Sequence, residues 1–400
     1  MRSPVTPAVV RRESGDRPLV YDREVSFKAI CPPRNVISRP TNTGLSMRSP
    51  NAIDFWRGVA LVMIFVNHIP GLGYSFLTLR QFAISDAAEL FVFLAGCSLA
   101  FVANGGSEGK PLGKVVSRLL TRAFEIWRAQ IVTVLVAIAL LGAGAIVFTD
   151  PLLLEWHNAG PAFSDTVRSS IGLVLLTYQI GYFNILPLYV VLMLLAVVFI
   201  VLSRWSMAAA VAASLALYAA TLAFQLRLPS WPAGGAWFFN PLSWQILIVL
   251  GYLAIFAREA YPSWQGLLER LWPWSVAVMI VGASVVFFDY RPDPMLVPEP
   301  RFFFLFDKEF LSPVRILSMA AIAIAFYPAF PVLYARLGPV VRYCSSLGRN
   351  SLAVFCVASL LALAGQIARY IGEPTFLLDT VIVTSGLILL RVTAWVAELQ

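Results

Sequence analysis

Charged residues are scarce in this sequence. Only 13% of its 400 residues are Asp, Glu, Lys or Arg, while 59% are hydrophobic and the mean hydropathy is +0.76. Soluble domains carry about 25% charged residues. The scarcity, together with repeated apolar runs of about twenty residues, therefore predicts an all-α integral membrane protein.

Other chemistry-bearing patterns are also sparse. The four cysteines have no metal-ligand spacing, so we predict no metal site. No Walker or dinucleotide-binding loop occurs. The net charge of +8 is spread over loops and the N-terminal segment rather than one face, which argues against a nucleic-acid partner.

Residues 1–50 differ from the rest of the chain. They contain nine Lys and Arg, several prolines and no apolar run, so we predict a basic, disordered cytoplasmic tail rather than a secretory signal. Met47 begins a repeat of the opening MRSP and is a possible second start. The tail leaves residues 51–400 as the membrane domain.

Hydropathy predicts ten membrane spans in this domain. If the N-terminus is inside, the cytoplasmic segments contain twenty Lys and Arg and the outer segments eight, which places both termini in the cytoplasm. The predicted spans are 53–71, 86–104, 129–148, 184–202, 206–224, 242–257, 273–288, 313–334, 350–368 and 377–397.

The first span contains three ionisable residues, Asp54, Arg57 and His68. Eleven residues are almost three helical turns, so Arg57 and His68 share a face about 16 Å apart along the axis. Ionisable groups at membrane depth are costly and usually functional. We predict that Arg57, together with Asp54, belongs to a site that binds a phosphate of a donor, and that His68 is a general base. The alternatives are an ion pair between Asp54 and Arg57 and a histidine hydrogen-bonded at the interface.

Two acids, Asp86 and Glu89, begin the second span. They suit the first turn of a helix, where the dipole favours negative charge, but one of them could instead orient His68. A basic segment precedes the third span. Its spacing of three to four residues predicts one helical face, which suits anionic lipid or the phosphates of a donor and contains Arg118, Arg122, Glu125 and Arg128.

Polar and aromatic residues flank several spans on the predicted outer side. Such residues are often interfacial anchors, but aromatic faces combined with amides also bind sugars, so we predict a glycan acceptor site here. The candidate residues are Asn184, Tyr189, Asn240, Trp244, Gln245, Asp307, Lys308 and Arg315.

Several motifs resemble those of the OpgC family, in order from residue 51 to the C-terminus. They are DFWRG at 54–58, NHIPG at 67–71, SDAAELFVF at 85–93, ILPLYVV at 185–191, NPLSWQIL at 240–247, DKEFLSPVRIL at 307–317 and LGRNSLAVFC at 347–356.

This resemblance implies an acyltransferase-3-like bundle of about ten helices in a bacterial inner membrane. It implies succinyl transfer from acyl-CoA to osmoregulated periplasmic glucans. In that class an arginine and a histidine with ten residues between them mark the catalytic region, which corresponds to Arg57 and His68. Asp54, Asp86 and Glu89 belong to the shared motifs.

We therefore predict a membrane O-acyltransferase that uses acyl-CoA, with succinyl-CoA favoured, and a periplasmic glucan or another glycan as acceptor. One alternative is a proton-coupled transporter of a glycan or an organic acid, in which Asp54 and His68 form a proton relay. Another is a non-enzymatic membrane partner in glucan assembly.

Overall fold

The computed structural model describes residues 49–104 and 110–399. Within these ranges the fold is all-α, and the single β-bridge pairs Pro229 with Ala236. The predicted fold class is therefore confirmed. The predicted tail lies outside the described residues except for Ser49 and Pro50.

Fourteen α-helices lie in the described ranges, joined by loops and short 3-10 turns. They are α1 (Ala52–Asn67), α2 (Ala87–Asn104), α3 (Leu112–Val147), α4 (Gly160–Ser164), α5 (Thr166–Val174), α6 (Ile185–Trp205), α7 (Met207–Phe224), α8 (Pro241–Ala260), α9 (Trp264–Phe287), α10 (Pro313–Phe326), α11 (Ala329–Arg336), α12 (Gly338–Arg349), α13 (Ser351–Ile371) and α14 (Phe376–Glu398).

Seven of these helices are long and apolar enough to cross a membrane. They are α3, α6, α7, α8, α9, α13 and α14, and the bent pair α10–α11, with an angle of 49°, makes an eighth if it forms one span. The protein is thus a multi-pass membrane protein. The 16-residue α1 and the short apolar helix α2 would both have to cross for the count to reach ten, so that number stays a prediction.

The third span differs from its predicted form. Residues 112–128 were expected to connect two spans, but they belong to the 36-residue helix α3. At 1.5 Å per residue this helix is about 54 Å long, well beyond the roughly 30 Å of a bilayer core. Hydropathy finds only the apolar part of the helix. The charged part continues as helix because neither proline nor a turn sequence interrupts it.

Two glycines bring α1 into backbone contact with α12. A Cβ atom added to Gly58 would lie 1.8 Å from the carbonyl oxygen of Cys344, and one added to Gly348 would lie 1.8 Å from that of Asp54. Only residues without a side chain permit this approach. The contact fixes the helix that carries Arg57.

The second helix is held in the same way against α8. A Cβ atom at Gly96 would lie 2.2 Å from the carbonyl oxygen of Ile248, and one at Gly251 would lie 2.1 Å from that of Phe93. Helices α1 and α2 are therefore each packed at backbone distance against a neighbouring helix.

Candidate active site

The guanidinium of Arg57 is bound mainly by α2. Its Nη2 donates to the Ser98 hydroxyl at 2.6 Å and to the Leu94 carbonyl at 3.2 Å. Asp54 lies 3.9 Å from Nη1, and its other carboxylate oxygen accepts a 2.5 Å hydrogen bond from Asn51. The predicted ion pair is present but long, so Arg57 is oriented chiefly by α2.

A cavity of about 610 Å³ lies beside Arg57. Its wall includes three more arginines, Arg118 and Arg122 on α3 and Arg349 at the end of α12. Arg122 is 2.9 Å from Glu125, and Arg349 is 2.9 Å from Glu398. Three arginines predicted to bind the donor thus line one cavity.

Arg349 was not predicted as a site residue. Its local sequence, GRNS, is typical of a helix start and gives no sign of a cavity. Only the packing of α12 against α1 brings it to the wall that contains Arg57.

Two residues of the predicted donor group do not line the cavity. Asp54 is connected to the cavity only by its ion pair with Arg57. Arg128 is exposed, and its guanidinium lies 5.4 Å from the centre of the Phe124 ring. Arg128 is six positions after Arg122, so the two side chains leave α3 in directions about 120° apart. The prediction that Arg128 shares their face is wrong for this reason.

His68 follows the last residue of α1 and lies against a tyrosine from a distant segment. Its ring stacks on Tyr182 with 4.3 Å between ring centres and an angle of 22°. The Nδ1 atom is buried and has no hydrogen-bond partner among the described residues. The main-chain carbonyl of His68 accepts a short hydrogen bond from the side-chain amide of Gln366. The Nδ1 atom is therefore a buried polar atom whose hydrogen-bonding capacity no described residue uses.

The second histidine of the chain, His157, joins the same centre. Its Nε2 lies 2.6 Å from Oε1 of Gln366, and its ring meets the edge of Tyr182 at 5.1 Å. Since the amide nitrogen of Gln366 donates to His68, its oxygen must accept, and Nε2 of His157 carries the proton. Burial lowers the pKa of His157 below its ordinary value.

Sequence reasoning did not find this arrangement. His157, Tyr182 and Gln366 come from different parts of the chain and share no spacing with His68. Long-range packing between α13 and the segment before α6 brings them together.

The two acids at the start of α2 are paired with two bases. Nζ of Lys308 lies 2.5 Å from Asp86, and Nε of Arg315 donates to Glu89 at 2.7 Å. Glu89 is fully buried and Arg315 is 8% exposed. No hydrogen bond joins either acid to His68 among the described residues. The expected hydrogen-bonded acid–histidine pair is therefore not formed.

Asp86 also stabilises the start of α2. Its Oδ1 accepts from the Ala88 amide at 2.8 Å, and its own amide donates to Glu89 at 3.0 Å. The alternative of helix capping is thus what the structure contains, and Lys308 pairs with the other carboxylate oxygen of Asp86.

Three predicted acceptor residues have no free polar group. The amide of Asn240 bonds main-chain atoms at 2.6 and 3.1 Å. The indole of Trp244 donates to the Lys308 carbonyl at 3.0 Å. Both ends of the Gln245 amide bond Ser214, at 2.7 and 2.9 Å. The structure therefore contradicts a sugar-binding role for these three buried side chains and gives each a structural one.

The other predicted acceptor residues are dispersed. Lys308 and Arg315 belong to the ion cluster, and Asp307 accepts from the Phe310 amide at 2.7 Å within its own loop. Asn184 is buried directly before α6. Tyr189 lies on α6 in the wall of the arginine cavity rather than at an outer surface.

The fold and these features define a multi-pass α-helical membrane protein in which an arginine-lined cavity and a histidine centre lie along one pair of helices. The OpgC protein family matches residues 48–400. The chain therefore belongs to the OpgC family, as its motifs predicted, and this membership indicates an acyltransferase role. No curated protein and no solved structure matches the chain.

Proposed function

We propose that this protein is an O-acyltransferase of a bacterial inner membrane, with both termini in the cytoplasm. It transfers an acyl group, with succinyl favoured, from acyl-CoA to a hydroxyl of a periplasmic glucan or another glycan. The observation that carries the proposal is the four-arginine cavity, whose wall includes Arg57 on α1, the helix that ends just before His68.

The cavity suits the chemistry of a CoA thioester. Its volume of about 610 Å³ lies within the roughly 300–1,000 Å³ of small-molecule sites. Guanidinium groups bind phosphates through paired, charge-assisted hydrogen bonds. Arg118 is exposed, so the arginine-lined end of the cavity reaches the protein surface. The remaining wall is mostly apolar, as the uncharged arm of CoA requires, and includes Leu99, Leu186, Met193 and Phe355.

The direction of the cavity supports delivery of the acyl group toward His68. It runs along α2 from Val102 to Phe91, a step of eleven residues or about 16 Å. Helices α1 and α2 run in opposite directions, because Arg57 bonds Ser98 while the charge of Asp86 acts on His68. Phe91 therefore marks the end of the cavity nearer the histidine.

His68 then acts as the general base. Its unbonded Nδ1 removes the proton from an acceptor hydroxyl, whose oxygen attacks the thioester carbonyl. A carbon–oxygen bond forms, the carbon–sulfur bond breaks, and the departing CoA thiolate takes the proton from His68. Lys308 lies 6.0 Å from the ring centre of the exposed Phe238, and the two offer a cationic and aromatic surface to the acceptor.

The main test is replacement of His68 by alanine. In lipid nanodiscs we expect the variant to bind succinyl-CoA and to transfer no acyl group, and glucans from cells that contain it should lack the acyl mass by mass spectrometry. Retained transfer would contradict the role of His68. Glycan accumulation in proteoliposomes without consumption of CoA would instead identify a transporter.

A second test distinguishes donor binding in the cavity from general electrostatic attraction of the donor to positive charge on α3. Losing a hydrogen bond to a charged group costs about 1.5–3 kcal/mol, so Arg118→Ala should weaken succinyl-CoA binding at least about tenfold. Arg128→Ala removes the same charge from the same helix, outside the cavity, and should leave affinity nearly unchanged. Equal losses in both variants would contradict the assigned donor site.

A further inference from the structure

Tyr189 is a buried tyrosine whose hydroxyl is unused. The residue is 7% exposed, it lines the arginine cavity, and its oxygen has no hydrogen-bond partner among the described residues. Buried tyrosine hydroxyls normally have a partner. Elsewhere in the protein, Tyr178 donates to the Asn158 carbonyl at 2.7 Å and Tyr218 to the Leu311 carbonyl at 2.8 Å. A hydroxyl kept without a partner in a cavity wall points to a ligand.

The position of Tyr189 joins the two parts of the site. It lies one helical turn after Ile185, where α6 begins, and α6 follows closely after Tyr182, whose ring stacks on His68. A helical side chain leans toward the N-terminus of its helix, which for α6 is the end beside the histidine. The ring meets the edge of Phe91 at 5.6 Å, at the end of the cavity nearer His68.

We infer that the Tyr189 hydroxyl donates a hydrogen bond to the thioester carbonyl of the bound acyl donor and stabilises the oxyanion formed during transfer. This inference rests on the proposed function. It makes Tyr189 a catalytic residue of the donor cavity rather than an acceptor-binding residue.

The reaction uses the Tyr189 hydroxyl as a hydrogen-bond donor and does not consume it. When the acceptor oxygen bonds to the carbonyl carbon, negative charge develops on the carbonyl oxygen, and Tyr189 donates to it while keeping its own proton. The carbonyl re-forms as the carbon–sulfur bond breaks. The acceptor's proton passes from His68 to the thiolate, so Tyr189 ends unchanged. A hydrogen-bond donor that is already oriented in a buried site is most effective where charge develops, since the site needs little reorganisation during the reaction.

The test is Tyr189→Phe in the full-length protein in nanodiscs, because phenylalanine keeps the ring and removes only the hydroxyl. Loss of one oxyanion donor typically slows transfer by about 100- to 1,000-fold. We expect that loss in single-turnover transfer from succinyl-CoA to glucan. Affinity for succinyl-CoA should stay within about threefold, and the thermal midpoint should be unchanged or higher, because the removed oxygen had no partner.

Tyr218→Phe is the matched control. Its hydroxyl is also buried but is bonded to the protein, so we expect the opposite pattern, a lower thermal midpoint with unchanged transfer. The two variants together separate a ligand-directed hydroxyl from a structural one.

Three outcomes would overturn the inference. Transfer by Tyr189→Phe at the wild-type rate, with donor binding intact, refutes the oxyanion role and leaves the proposed function standing. An equal fall in donor affinity and in transfer would show that the hydroxyl only anchors the donor. Failure of the wild-type protein to bind succinyl-CoA or transfer any acyl group would refute the proposed function, and the inference with it.

Discussion

Replacing Glu89 by alanine should destabilise the protein rather than abolish its chemistry. Glu89 is fully buried and accepts a 2.7 Å hydrogen bond from Arg315, which is 8% exposed. Removing one partner of a buried ion pair leaves an uncompensated charge and costs about 3–5 kcal/mol. Asp86 stays 3.9 Å from Arg315 and compensates part of that charge. We therefore expect the lower end of the range, about 3 kcal/mol.

The assay is a double-mutant cycle on unfolding in mixed detergent, with Glu89→Ala, Arg315→Met and the double variant. The double variant removes both charges, so its loss of unfolding free energy should be smaller than the sum of the single losses. It should also retain acyl transfer, because Glu89 contacts Arg315 rather than His68.

A half-exposed ion pair provides the control for this cycle. Glu125 and Arg122 are 2.9 Å apart, but their side chains are 39% and 43% exposed. Glu125→Ala should change the unfolding free energy by less than about 1 kcal/mol, because water screens the remaining charge. The reasoning would be refuted if Glu89→Ala kept full stability, or if the double variant folded well and transferred nothing.

Three further replacements test the packing, the histidine centre and the corrected acceptor site. Gly58→Ala places a methyl group 1.8 Å from the Cys344 carbonyl oxygen, so thermal unfolding should show a loss of about 1–3 kcal/mol or more, and an unchanged midpoint would contradict that close contact. Gln366→Ala releases the carbonyl of His68 and should slow transfer while succinyl-CoA affinity stays unchanged, whereas a parallel loss of affinity would place Gln366 in donor binding. Trp244→Phe removes a buried hydrogen bond and should cost about 1 kcal/mol in unfolding without changing glycan affinity, and a weaker affinity would restore its predicted acceptor role.

Local patterns were sufficient for the class of the protein and for its most informative helix. Apolar runs located the long helices, because the length of a span follows from bilayer thickness. The step between Arg57 and His68 predicted one face for both, because helical geometry repeats regularly along the chain, and the structure ends α1 at Asn67, directly before His68. Several shared motifs in the same order led to the family that the match over residues 48–400 confirms.

Sequence patterns predicted the wrong role where one residue type suits both a structural and a functional role. Asn240, Trp244 and Gln245 have the chemistry of a sugar site, yet each is buried with its polar atoms already bonded. Asp86 and Glu89 suit a histidine partner, yet Lys308 and Arg315 bind them from a loop and helix more than 200 residues away. Sequence lists the donors and acceptors but does not say which of them meet.

The sequence by itself determined an all-α membrane protein of the OpgC family and one apolar helix with an arginine near its start and a histidine at its end. Those features depend on composition and on the regular repeat of a helix, which are local properties. Only the tertiary structure decided that Arg349 and Tyr189 line one cavity with Arg57, and that Gln366 bonds both His68 and His157. These contacts depend on how distant helices pack, and glycines such as Gly58 and Gly96 permit that packing at backbone distance.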